Sequence, residues 1–197
     1  MTDEVEALPA KQNRFDTRAF AVMTLAVAAL IIAFRATGRL WWCKCGQPFL
    51  FSGDINSMHN SQHVFDAYSL SHVLHGIVFF YAIFLLGRRL PMVWKLAIAI
   101  VIEVAWEILE NSPIIIDRYR AGTIAVGYEG DTVANSLSDV VMALLGFLIA
   151  RRVGWKGSLA FFIAVELLML WWIKDNLTLN VLMILAPIPA VKEWQGS

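Results

Sequence analysis

The stretch SHVLHGIVFFYAIFLL, residues 71–86, decides the class of this protein. Two histidines open it, and from Gly76 to Leu86 no charged side chain interrupts the apolar run. Four further runs share this character: 19–34, 93–109, 133–150 and 158–173. Each approaches the ~20 residues that cross ~30 Å of hydrocarbon once flanking residues are counted. A last apolar run, 177–186, stops at Pro187 and Pro189. It is too short to cross alone and reads as an interfacial helix.

Composition agrees. Hydrophobic residues are 58% and charged residues 16% of the 197, against ~45–50% and ~25% in soluble domains, and the mean hydropathy is +0.62. A soluble globule of this size cannot hide that much apolar surface. A disordered chain is excluded because such chains are poor in hydrophobics. Sixteen basic residues balance sixteen acidic ones, so no basic field supports nucleic-acid binding. Two cysteines are too few for a disulfide scaffold. The expected fold is all-α, a polytopic membrane helix bundle of about five transmembrane helices plus a short C-terminal interfacial helix. Residues 1–18 read as a polar cytoplasmic tail, 19–191 as one transmembrane helical domain and 192–197 as a C-terminal tail.

The tail before residue 19 is long and carries acids as well as bases, so the first run reads as an uncleaved span rather than a signal peptide. Basic residues set orientation. Lys11, Arg14 and Arg18 precede the first span. Arg88, Arg89 and Lys95 flank one short turn, and Arg151, Arg152 and Lys156 fill another. These nine face seven on the other side: Arg35, Arg39, Lys44, Arg118, Arg120, Lys174 and Lys192. The N-terminus is therefore expected inside, with segments 35–70 and 110–132 extracytoplasmic.

The polar residues inside the apolar runs carry the functional signal. All four histidines, His59, His63, His72 and His75, fall within seventeen residues, with Asp66, Ser69 and Ser71 among them. His72 and His75 share a helix face, a spacing that suits one metal or a proton carrier. Glu103, Glu107 and Glu110 form one stripe of the third span, and Asp131, Asn135 and Asp139 one stripe of the fourth. Asp131 stands near a helix N-cap. At ~1.5 Å per residue, His72 and Asp131 lie near the outer surface, His75 and Asn135 ~5–6 Å below, and Asp139 ~12 Å deep. Three stripes thus occupy the outer half of the bilayer and can face one cavity, which Glu166 can join. Ionisable groups at that depth need partners or water. Arg118 and Arg120, around Tyr119, read as an anion clamp or as headgroup anchors. In WWCKCG, residues 41–46, the tryptophans suit the interface. Cys43 and Cys45 read as structural or oxidised, with metal binding also open.

WCKCG (42–46), SQHVFDAYSLSHVLHG (61–76), EVAWEILENSP (103–113), DRYR (117–120), GYEGDTVANSLSD (127–139), DNLTLNVLMI (175–184) and KEWQ (192–195) together resemble a family of multi-pass inner-membrane proteins of alphaproteobacteria, the uncharacterised protein family UPF0314. The resemblance implies a cell inner membrane location and several helices, and no activity.

The candidate site follows from the residues alone. A membrane-embedded hydrolase or transferase acting on a lipid-linked substrate would use His72, His75, Glu107, Asp139 and Asp66 as catalytic groups. His72, His75, Glu107 and Asp139 would hold a divalent metal such as zinc. Arg118, Arg120, Asn135 and Glu110 would contact substrate. Membrane lipids, a second copy or another membrane protein are the expected partners. The alternatives are a non-catalytic assembly or sensor subunit, whose polar core holds the helices together, and a proton- or ion-coupled carrier.

Overall fold

The computed structural model describes residues 16–123 and 127–197. Residues 1–15 of the polar tail, with Lys11 and Arg14, lie outside the described residues. The chain order is α1 (Thr17–Ala36), β1 (Phe51–Ser52), β2 (Phe65–Asp66), α2 (Ser69–Leu86), α3 (Met92–Glu110), α4 (Pro113–Gly122), α5 (Val133–Ile173), α6 (Leu177–Leu185) and α7 (Pro189–Gln195). Three of these, α1, α2 and α5, are long and apolar enough to cross a membrane. α3 is 19 residues long but carries Lys95, Glu103, Glu107 and Glu110.

α2 is the axis of the bundle. Gly76 and Gly146 let it touch α5 backbone to backbone. A Cβ on Gly76 would lie 1.8 Å from the Ala143 carbonyl oxygen, and one on Gly146 1.9 Å from that of Val73. Small residues allow such approach where helices pack in apolar surroundings. Leu74, Ile77, Phe80, Phe147, Val165 and Met169 fill the core around this seam. α1 packs on α3, burying Leu30 and Phe34 against Val104, Val133 and Val140.

The expected turn between the fourth and fifth spans falls at Gly154. α5 runs 41 residues and breaks at Gly154, whose φ of 71° and ψ of 177° leave the helical region. Positive φ is open to glycine because it lacks a Cβ. The two arms run in opposite senses along α2. Ser69 bonds to Asp139 and Phe80 meets Phe147 on the first arm. On the second, Ser71 bonds to Met169 and Tyr81 to Ser158.

Two short helices were not foreseen in the sequence. α4 and α7 each begin on a proline at the first turn, Pro113 and Pro189, a position where the missing N–H costs nothing. The loop after α1 folds onto the start of α5. There Leu40 and Trp41 carbonyls accept from Val133 and Ala134 N–H, and Ser61 O accepts from Thr132 N–H. These bonds satisfy donors that a helix N-terminus leaves open.

Candidate functional site

The tight α2–α5 seam sets His72 level with Asp139, and α3 closes the third side. His72 is the hub. Its Nδ1 lies 2.5 Å from Glu103 Oε1 and 3.3 Å from Glu107 Oε1, and its Nε2 lies 3.9 Å from Asp139 Oδ2. A carboxylate can only accept, so Nδ1–H donates to Glu103, and Nε2 faces Asp139. His75 Nδ1 donates to the same Glu103 carboxylate at 3.2 Å, while its ring stacks on Phe79 and meets the edge of Trp106.

Glu103 and Glu107 are both 0% exposed, and Asp139 is 3% exposed. Asp139 accepts from Ser69 Oγ at 2.9 Å. Glu107 is different: neither carboxylate oxygen has a hydrogen-bond partner among the described residues. His72 approaches it closely, but its Nδ1 proton is committed to Glu103. A carboxylate removed from water costs several kcal/mol unless a cation or hydrogen bonds replace the solvent. His72, Glu107 and Asp139 each offer a ligand atom, all within 4.8 Å of one another, and so do His72, His75 and Glu103. The expected ligand set of His72, His75, Glu107 and Asp139 therefore divides into two triads that share His72. Glu103 was read as part of the acidic stripe but not placed in that set. It is the carboxylate that binds both histidines, and its four-residue spacing from Glu107 was the signal for it.

Above this cluster opens a cleft lined by residues that include Asp66, His72, Glu110, Asp131, Asn135 and Asp139. Residues of α2, α3 and α5 thus converge on one cavity. Glu110 accepts from Tyr119 Oη at 2.8 Å. Asn135 Nδ2 faces the Val64 carbonyl and Asp66 Oδ2, each at 3.5 Å.

Other expected site residues have local structural partners. Asp66 Oδ1 accepts from Tyr68 N–H at 2.7 Å and Ser69 N–H at 3.1 Å, and Oδ2 from Ser61 N–H at 3.0 Å. It closes the start of α2 as an N-terminal carboxylate does. Burial pushes its carboxyl pKa up against these bonds. Thr132, rather than Asp131, caps α5, accepting from Asn135 N–H. Asp131 instead exchanges two hydrogen bonds with Asn111, both 2.6 Å, tying the end of α3 to the start of α5.

Arg118 donates to the Ile184 and Leu185 carbonyls at 2.7 and 3.1 Å, occupying the C-terminal carbonyls of α6. Arg120 donates to the Tyr128 carbonyl. Neither is among the described residues that line the cleft. Glu166 is also turned away from the cleft. It accepts from Leu177 N–H at 2.9 Å and Thr178 N–H at 3.3 Å, because α6 folds back and aims its open N-terminus at this carboxylate. Asp175, at the same end, accepts from Tyr68 Oη at 3.1 Å. Burial raises its pKa from 3.8 to about 6.

Fold and site define a helical protein, apolar on its outside, with a buried histidine–carboxylate cluster beneath a polar cleft. The chain belongs to the UPF0314 family. The family model described as "Protein of unknown function (DUF2585)" matches residues 34–197. A UPF0314 protein of Agrobacterium fabrum is 44% identical over 193 residues, 98% of this chain and 97% of the relative. One of Sphingopyxis alaskensis is 48% identical over 175 residues, 86% of this chain and 93% of the relative. One of Paracoccus denitrificans is 47% identical over 173 residues, 85% and 90% of the two chains. No solved structure matches the chain.

Proposed function

We propose that this protein is a multi-pass inner-membrane, metal-dependent hydrolase or transferase acting on a lipid-linked substrate from the outer leaflet. The five crossings would be α1, α2, α3 and the two arms of α5. Each arm has about 20 residues, enough for ~30 Å of hydrocarbon. Exposed leucines and isoleucines such as Leu25, Ile32, Leu86 and Leu167 suit acyl chains, and the acids of α3 turn inward. Exposed Trp41, Trp171 and Trp194 stand at one end of the bundle and Trp155 at the other, the places where tryptophan meets both interfaces. The cleft opens at the end opposite the turns carrying Arg88, Arg89, Arg151 and Arg152, which supports an outward-facing site.

The observation that carries the reading is the Glu107 carboxylate, fully buried and without a hydrogen-bond partner among the described residues, beside His72 and Asp139. One imidazole and two carboxylates are a donor set for zinc or a similar divalent ion. Such an ion, held by His72, Glu107 and Asp139, would activate water as a nucleophile near neutral pH. Glu103 holds His72 so that Nε2 faces Asp139, and Ser69 holds Asp139. Glu110, Asn135 and Tyr119 supply polar contacts for a headgroup in the cleft.

The test uses full-length protein purified in detergent. Bound metal is quantified by mass spectrometry, and hydrolysis of fluorescent phospholipids and ceramides is followed. His72→Ala and Asp139→Asn are expected to lose the metal of this cluster and about 100-fold in turnover. Turnover that persists in both variants would overturn the proposal. So would wild-type protein that carries no metal at this cluster while the variants only lower its abundance, which would assign the cluster to holding the helices in an assembly subunit.

A further inference from the structure

The loop joining α1 to α2 holds a second cluster that shares no residue with the first. Cys43, Cys45, His59 and His63 each offer one ligand atom, and the four lie within 4.8 Å of one another. Cys43 Sγ is 3.5 Å from His59 Nδ1, and Cys45 Sγ is 3.9 Å from His63 Nε2. His59 Nδ1 and His63 Nε2 are 3.2 Å apart. Tetrahedral zinc, with bonds of ~2.3 Å to sulfur and ~2.0–2.1 Å to nitrogen, separates sulfur from nitrogen by about 3.6 Å and nitrogen from nitrogen by about 3.3 Å. The three measured separations are close to these values.

The backbone is arranged around sulfur. Cys45 N–H points at Cys43 Sγ and Gln47 N–H at Cys45 Sγ, both at 3.4 Å. Amides aimed at sulfur favour the thiolate, which is the form that binds metal. Gly46, at φ 69°, closes the turn with its N–H on the Cys43 carbonyl. Cys43 and His63 are buried at 5% and 0% exposure. Trp42 and Phe49 pack their rings against the imidazoles, with centroids 5.4 to 5.9 Å away. Two thiolates and two neutral imidazoles neutralise a divalent ion, so the set closes in charge as well as in number.

We propose that Cys43, Cys45, His59 and His63 form a tetrahedral zinc site that clamps the α1–α2 loop over the cleft. The clamp acts through short links. Trp41, two residues before Cys43, is bonded to the first turn of α5, and Ser61, between the two histidines, is bonded to Thr132 and Asp66. Asn60 and Ser61 line the cleft. The ion joins the two ends of the loop and so fixes one wall of the cavity.

The site is tested on the full-length protein in detergent, stripped with a chelator and reloaded with cobalt(II). A thiolate-to-cobalt charge-transfer band with tetrahedral d–d bands is expected, and one equivalent of zinc should erase both. Cys43→Ser and Cys45→Ser should each lose the charge-transfer band and about one equivalent of zinc, while His75→Ala keeps the band. The stripped and reloaded wild type supplies the same reading if a variant fails to fold. No charge-transfer band in the wild type, a band that survives in both cysteine variants, or isolation of the pair as a Cys43–Cys45 disulfide would each overturn the assignment. The His72 cluster contains no sulfur and is silent in this band, so the two metal sites can fail separately.

Discussion

His72 Nδ1 and Glu103 Oε1 lie 2.5 Å apart, with both side chains closed to solvent. This pair fixes the plane and tautomer of the imidazole that faces Asp139. A carboxylate behind a ligating histidine orients it and raises its basicity. Glu103→Gln keeps an acceptor but removes the charge. The expected outcome is folded protein whose His72 cluster binds zinc about 10- to 100-fold more weakly, measured by competition with a chromophoric chelator in a Cys43→Ser background. Unchanged affinity would show that Glu103 has no hold on His72.

The Gly76–Ala143 and Gly146–Val73 approaches leave no room for a side chain. Gly76→Leu and Gly146→Leu must push α2 and α5 apart, at a cost on the order of 1–3 kcal/mol or more. The thermal midpoint in detergent is expected to fall by several degrees. His72 and Asp139 should separate as well, so the metal of the cluster is lost with the packing. A variant with wild-type midpoint and metal content would contradict this seam.

Much of this architecture was legible in the sequence because it rests on long apolar runs and helical spacing. Runs at 19–34, 71–86 and 93–109 lie within α1, α2 and α3 and end within two residues of most of their bounds. The convergence of His72, Glu110, Asn135 and Asp139 on one cleft followed from depth along antiparallel helices. What escaped depends on long-range contacts. Pro189 was read as ending the last apolar run, although it opens a short helix, and Pro113 opens another that no periodic pattern announced. Arg118 and Glu166 looked like cleft residues because their partners, the two ends of α6, are distant in sequence. His59 and His63 are sixteen and eighteen residues from Cys43 and Cys45, and the Cys-x-Cys spacing departs from the commoner zinc patterns. Only the folded loop brings the four together.

Asp175 gives the protein a pH-dependent contribution outside the buried cluster. Its carboxyl holds its proton more tightly in the folded state, at about 6 rather than 3.8. Its stabilising contribution is therefore full below about pH 4 and is lost as pH rises through about 6. Asp175→Asn is expected to flatten that part of the profile of thermal midpoint against pH. A slope between pH 4 and 6 that is the same in the variant would assign it to another group.

The proposed orientation, drawn from the basic residues of the loops, is open to reporter fusions. Alkaline phosphatase fused after residue 60 or residue 122 should be active, because both positions are expected outside. A fusion after residue 90, in the turn that carries Arg88 and Arg89, should be inactive, with the complementary pattern for a cytoplasmic reporter. The reverse pattern would place the cleft on the cytoplasmic side and remove the outer-leaflet substrate.

The most direct measurement is anomalous diffraction at the zinc edge from crystals of the full-length protein. The expected result is a peak in contact with His72, Glu107 and Asp139, at the base of the cleft. A map with no anomalous density at these three side chains, and with the Glu107 carboxylate hydrogen-bonded to protein or water instead, would contradict a metal centre there.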